Sequence, residues 1–457
     1  MRRPLRPSAR RHGAPRAPAA TTAAPGGGAA REGIVERLVP GGAGLIRDDA
    51  GVAFVPDVAV GERVRYAERG RRGGARQATL LAVLEPSSSR VTPACRVAGR
   101  CGGCDWLHLD RAAQTAGKEQ LVDDALTRIG RFDPAVVAAA RAPLVVPASP
   151  AGAARRRVRL AVDGAGRAGF FARGSHDVVV VDSCPALDAR LQAALPRLPR
   201  LSPRTTLRLA TDDEGRVVAA VDHARDARAL VAAGVVTGAV VTARDGDGDG
   251  DGDELVVGEA QVRGEVTAGL FAATSDAACF TQATRSGGRG IIDAVLDAVA
   301  DVGGDVRGRR VLELFAGSGH LTLPLSARGA LVDVVEGDGR GVRFLRDNVA
   351  RLCPAGAVVV RQAFIDGRLP LGDGAPHVVV ADPPRTGIPG AAALFARVGQ
   401  AGAAGLVLVS CDPATGARDL RAAVDVGFVL QRVVPLDAFP GTHHVEWVAS
   451  LRRGVER

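Results

Sequence analysis

Hydrophobic and polar positions follow different rhythms along the chain, and each rhythm predicts a different architecture. Residues 1–31 hold almost no large apolar side chain among Arg, Ala, Pro and Gly, so a disordered basic tail is expected there. Between residues 32 and 86, short apolar segments such as Gly33–Leu38, Gly51–Pro56, Gly61–Arg65 and Ala78–Leu84 alternate with turns. That spacing predicts a small β-barrel. Residues 87–275 combine one helical stretch with β-rich segments. The helix is expected over Asp110–Gly130, with Leu121, Val122, Ala125, Leu126 and Ile129 on one face. The β-rich part begins at Arg155-Arg156-Arg157 and continues through Phe170-Phe171 and Val178–Val181. From 276 to 457 strands and helices take turns, which predicts an α/β domain with a doubly wound sheet.

Several strands of that last domain end in residues with chemistry. Arg310–Leu314 runs into Phe315-Ala316-Gly317-Ser318-Gly319-His320 and then a helix over Leu321–Ala327. The next strand, Leu331–Glu336, ends in a carboxylate. A glycine-rich turn with an acid closing the following strand is how doubly wound folds hold an adenosine ribose. Thr322 stands where a dinucleotide site has its third glycine, so S-adenosylmethionine, which has no pyrophosphate, suits the turn better than NAD.

A fourth strand, His377–Ala381, leads into Asp382-Pro383-Pro384-Arg385, where two prolines stiffen a polar corner. Leu406–Val409 leads into Ser410-Cys411-Asp412-Pro413, and Asp before Pro suits a helix start. Cys411 is thereby expected at the C-terminal end of a buried strand, the edge where ligands collect in open α/β sheets. Taken alone, a free cysteine is more often a small buried hydrophobe. The stretch Phe439–Leu451 reads as a terminal buried strand that opens on His443, His444 and Glu446. Ionisable groups avoid such positions unless paired or functional. A structural pair accounts for the histidines, and a functional role suits Glu446.

The seven cysteines are odd in number and accompany no secretory signal, which argues against a disulfide framework. Cys95-x5-Cys101-Gly102-Gly103-Cys104 is too dense for unrelated core cysteines, and Cys184, before Pro185, is the natural fourth ligand. Four thiolates without histidine suit zinc or an iron–sulfur cluster. The Asp-Gly run at 244–254 lacks the bidentate glutamate of a calcium loop and reads as a flexible surface loop.

Charge narrows the partner. The formal net charge is +9, and Lys118 is the only lysine among 59 basic residues. A GC-rich genome explains the choice of arginine but not the excess, which favours an anionic partner, nucleic acid first. Arg69, Arg71, Arg72, Arg76 and the Arg155–Arg157 triplet suit phosphates or an ordinary solvated surface about equally. No apolar run is long enough for a membrane span, and a cytoplasmic enzyme working as a monomer is expected.

With these motifs in this order, residues 32–451 resemble the RNA uridine-5-methyltransferases that carry a TRAM domain and an iron–sulfur cluster, the bacterial 23S rRNA type by pattern. The resemblance implies a class I, Rossmann-like S-adenosylmethionine-dependent methyltransferase domain behind an OB-like TRAM β-barrel and a central α+β domain. It implies that Cys95, Cys101, Cys104 and Cys184 ligate a 4Fe–4S cluster. It implies that Gln282, Phe315, His320, Glu336 and Asp382 line the S-adenosylmethionine site, that Cys411 is the nucleophile, and that Glu446 is the base. The family commonly has Asn at the positions of His320 and Thr284. The expected substrate is RNA, rRNA first. The competing readings are a tRNA uridine-5-methyltransferase, a 5-methylcytosine enzyme, which usually pairs two active-site cysteines, and a non-catalytic RNA-binding protein with structural zinc.

Overall fold

The computed structural model describes residues 29–147, 154–242, 255–265, 272–372 and 374–454. Most of the expected tail and all of the Asp-Gly run lie outside the described residues. The first strand, Ala30–Ile34, begins just inside the stretch expected to be disordered, because it pairs antiparallel with Arg63–Ala67.

Residues 30–85 form a six-stranded sheet around its own apolar cluster, which includes Val35, Ile46, Val55, Val64 and Tyr66. Alternation positions it: Val64 and Tyr66 point inward, while Arg63 and Arg65 point out. A Cβ at Gly33 would lie 2.5 Å from Ile46, so this glycine lets the first strand lie against the third and curl the sheet. Arg69, Arg71 and Arg72 are exposed, as a surface role requires. Arg76 is not: it is buried and paired with Asp48.

A second, seven-stranded sheet spans Arg157 to Gly258, with the helices Ala189–Ala194 and Ala224–Ala232 contributing to its apolar core. Two arginines of the triplet at its entrance, Arg156 and Arg157, are taken up by protein partners. Arg157 is bonded to the Thr281 hydroxyl and the Asp276 carbonyl, and Arg156 pairs with Asp213 at 2.9 Å.

The third sheet holds the candidate site. Its strands are β1 (Arg310–Leu314), β2 (Leu331–Glu336), β3 (Val358–Gln362), β4 (Val378–Ala381), β5 (Gly405–Ser410), β6 (Phe428–Leu436) and β7 (Glu446–Arg453). Their order is β3-β2-β1-β4-β5-β7-β6, with only β7 antiparallel to its neighbours. Helix Arg285–Gly303 covers one face, and helices Ala391–Gln400 and Pro413–Asp425 cover the other. Cover on both faces is why β4 and β5 are unbroken apolar runs, buried at every position.

The helix expected near residue 110 spans Arg111–Asp124, capped by Asp110, whose side chain accepts from Ala113 N. It continues as a π turn over Ala125–Ile129. The π turn shifts the phase, so Ile129, expected on the buried face, is instead 46% exposed. Val122, Ala125 and Leu126 join the core of the third sheet rather than of the second. No helix among the described residues is long and apolar enough to cross a membrane.

Candidate active site

Register brings Cys411 and Glu446 together. Ser410 on β5 lies opposite Trp447 on β7, so the next residues outward, Cys411 and Glu446, meet at the same end of the sheet. Asp382 follows β4, the other neighbour of β5, and its amide bonds the Leu314 carbonyl, which places it beside the glycine-rich turn. Glu446 is buried, and burial, with the nearby Asp382 adding, pushes its carboxyl up to about 8. Burial alone raises Asp382 to about 7.

Burial, reinforced by Glu446, pushes the Cys411 thiol up to about 12, with Arg385 opposing. That rise outweighs the help a helix N-terminus gives an adjoining thiolate. The sequence reading of the cap itself holds, since the Asp412 carboxylate accepts from Thr415 N at 2.8 Å. Arg385 was not singled out from the sequence, yet its charge reaches Cys411, Glu446 and His444. The available signal was an arginine directly after a rigid Pro-Pro corner.

The glycine-rich turn is tightly made. Phe315 has a positive φ of 64°, with Gly317 and Gly319 also positive, and the Glu336 carboxylate accepts from Gly317 N and Asp338 N, each at 2.7 Å. Gln282 and His320 line one small cavity with Ser318. A Cβ at Gly288 would sit 3.1 Å from His320 and 3.2 Å from Gln282, so glycine there admits both. The His320 ring lies 3.2 Å from the Gly288 carbonyl, and burial lowers it to about 4, so it is neutral at physiological pH. Beneath the turn, burial raises Glu313 to about 8, with Asp382 and Glu336 adding. Phe280 and Phe364, 72% and 73% exposed, are the most exposed large hydrophobic side chains among the described residues.

Cys95, Cys101, Cys104 and Cys184 line a single cavity whose walls include Val97, Phe170, Val181 and Leu187. All four are free thiols, and burial pushes Cys104 up to about 11. Among the described residues, no three Cys, His, Asp or Glu side chains converge on a point that would hold a single ion. The cavity adjoins the loop that leads to Glu446: Asp105 accepts from His443 N at 2.9 Å and also binds the His443 ring. Arg155 lies over the Phe439 ring at 5.8 Å. The terminal strand begins at Glu446 rather than at Phe439, because Pro440 and the positive φ of Gly441 interrupt extended pairing.

No protein-family model matches the chain. Relatives do. The 23S rRNA (uracil(1939)-C(5))-methyltransferase RlmD of Halomonas elongata is 34% identical over 95% of this chain and 92% of its own. The protein of the same name from Chromohalobacter salexigens is 34% identical over 93% of this chain and 89% of its own. The tRNA (uracil-54, C5)-methyltransferase of Pyrococcus abyssi, solved with S-adenosyl-L-homocysteine, superposes with a TM-score of 0.69 at 21% identity. It matches over 92% of this chain and all of its own, a likeness of fold. Identity sustained over nearly the whole length, on a methyltransferase sheet, is decisive: the chain belongs to the RNA (uracil-C5)-methyltransferase family.

Proposed function

We propose that this enzyme carries out its family's reaction, methylation of uracil C5 in RNA, through a covalent bond between Cys411 and C6 of the ring, and that the uridine lies in 23S rRNA. The observation that carries the covalent route is the meeting of Cys411 and Glu446 at one end of the β5–β7 pair, beside Asp382 and Arg385.

C5 of uracil is a poor nucleophile because the ring is electron-deficient. Addition of the Cys411 thiolate at C6 places negative charge on C5 and O4, and C5 then attacks an electrophilic methyl. S-adenosylmethionine would supply that methyl from its sulfonium, the methyl–sulfur bond breaking to leave S-adenosylhomocysteine. Glu446 removes the C5 proton, the C5–C6 double bond re-forms, and the Cys411 thiolate leaves. Burial disfavours the charged forms of Asp382 and Glu313 in the ligand-free protein, and a cationic donor bound beside them and Glu336 would draw both carboxyls towards ionisation. Gln282, His320 and Phe315 surround the turn where the nucleoside and amino-acid portions would bind. Burial disfavours the Cys411 thiolate in the free protein; Arg385 and a bound sulfonium favour it, so activation waits for the methyl donor. The target uridine must leave its stack to reach C6, and exposed Arg69, Arg71 and Arg72 would hold the surrounding backbone.

Four free thiols around one apolar cavity, without histidine, support a 4Fe–4S cluster at Cys95, Cys101, Cys104 and Cys184. These four cysteines would hold such a cluster, which does not need their sulfurs to converge on one point. An rRNA substrate and reduced thiols go with a cytoplasmic enzyme.

Cys411→Ala should abolish 5-methyluridine formation on rRNA in vitro while leaving S-adenosylhomocysteine binding intact; turnover by that variant removes the covalent route. Mass mapping of rRNA and tRNA from cells lacking the gene should show the missing 5-methyluridine in 23S rRNA, and loss from tRNA alone reassigns the substrate.

A further inference from the structure

Lys118 is the only lysine in a chain whose other basic residues are all arginine, and it is fully buried, within the helix Arg111–Asp124. Its Nζ donates to the Phe439 carbonyl at 2.9 Å and to the Asp437 carboxylate. Arg111, two turns earlier on the helix, reaches the other Asp437 oxygen at 2.7 Å. Gln114 lies four residues before Lys118, on the same face. Its Oε1 accepts from Gly441 N at 2.8 Å, and its Nε2 donates to the carbonyls of Leu109 at 2.9 Å and Trp106 at 3.2 Å. Trp106 N donates to the Gly441 carbonyl at 2.9 Å, and Asp105 takes His443 N. Residues 437–443 are therefore held by side chains and backbone of residues 105–118. The held segment runs directly into Glu446. Cys411 stands elsewhere, between β5 and the helix Pro413–Asp425.

We infer that Lys118 and Gln114 are positioning residues for proton removal: they fix the Asp437–His443 loop so that Glu446 faces the C5 hydrogen of the methylated adduct. This rests on the reading of Glu446 as the base. A compact ammonium on a flexible stem can meet one carboxylate and one carbonyl in a closed site, whereas a planar guanidinium fork fits other geometry. The loop is tied to the segment that carries Cys101 and Cys104, so the same contacts connect the cysteine cavity to the last chemical step. Cys411 addition and methyl transfer depend on other elements and should survive the loss of Lys118.

The test uses full-length Lys118→Met, which keeps the stem and leaves Arg111 on Asp437, with Gln114→Met as the second variant and Glu446→Gln as reference. Each is mixed with methyl-labelled S-adenosylmethionine and RNA containing the target uridine. Steady-state turnover, single-turnover methyl incorporation, denaturation-resistant RNA–protein adduct and S-adenosylhomocysteine affinity are measured. The expected result is a kcat lower by roughly 10- to 100-fold, KM and S-adenosylhomocysteine affinity within about threefold, and a methylated adduct that persists as in Glu446→Gln. If Lys118→Met does not fold, Gln114→Met decides by the same readouts. A slow variant with no persistent adduct, or one whose donor affinity collapses, overturns the inference while Glu446→Gln still accumulates adduct. If Glu446→Gln itself accumulates none, the base assignment fails and the inference falls with it.

Discussion

Glu313, Asp382 and Glu446 are carboxyls that burial holds protonated near neutral pH, at about 8, 7 and 8. Each folded-state value lies above the ordinary carboxyl range, so the folded state binds the proton more tightly than the unfolded chain. The resulting stabilisation is complete below about pH 4 and is lost as pH rises towards 8. Unfolding of the ligand-free protein by urea should therefore show stability falling by a few kcal/mol between pH 5 and 8.5, most of it from Glu313 and Glu446. Glu446→Gln should flatten that slope; an unchanged slope means Glu446 is not held protonated. The same shifts bear on rate: a base raised to about 8 should give activity that climbs with pH through that value. Arg385→Ala removes the cation opposing both shifts and should lower kcat about tenfold or more while moving the rising limb to higher pH. A pH profile left in place would deny Arg385 that role.

At the scale of elements, the site depends on how the helix Pro413–Asp425 docks. A Cβ at Gly416 would lie 2.2 Å from the Trp447 ring and 2.6 Å from Ser410 Oγ, so only glycine lets the helix sit on β5 and β7. Gly416→Val should cost about 1–3 kcal/mol and, by moving Ser410 and Cys411, lower kcat by up to about a hundredfold. Thermal melting together with single-turnover rates checks both, and a fully active, equally stable variant would place the constraint elsewhere. The strands were legible in the chain because their apolar runs are continuous, and the Asp412 cap was legible because its signal is local. Ile129 was not, since nothing local announces a π turn. The loop before Glu446 was read as strand because its apolar and aromatic residues fit that pattern. Its backbone groups instead bond Lys118, Gln114 and Trp106, more than three hundred residues away. The raised thiol at Cys411 was equally hidden: the sequence displays the helix start but not the carboxylates that close around it.

Across the whole molecule, three segments distant in sequence meet around residues 437–446. The cysteine segment contributes Asp105 and Trp106, the capped helix contributes Gln114 and Lys118, and the third sheet contributes Cys411 and Glu446. Anaerobically purified protein should carry about four iron atoms and absorb broadly in the visible, and Cys184→Ser should lose both. Stoichiometric zinc instead would reject the cluster. The basic excess of +9 belongs to this scale too, because binding to a polyanion should weaken steeply with salt. The reaction itself is tested most directly by the mass of the trapped intermediate. Glu446→Gln protein incubated with RNA and S-adenosylmethionine, then digested with nuclease and protease, should yield the Cys411 peptide bearing a 5-methyluridine nucleotide through its sulfur. The same peptide recovered unmodified, while methylated RNA accumulates, would contradict a covalent route through Cys411.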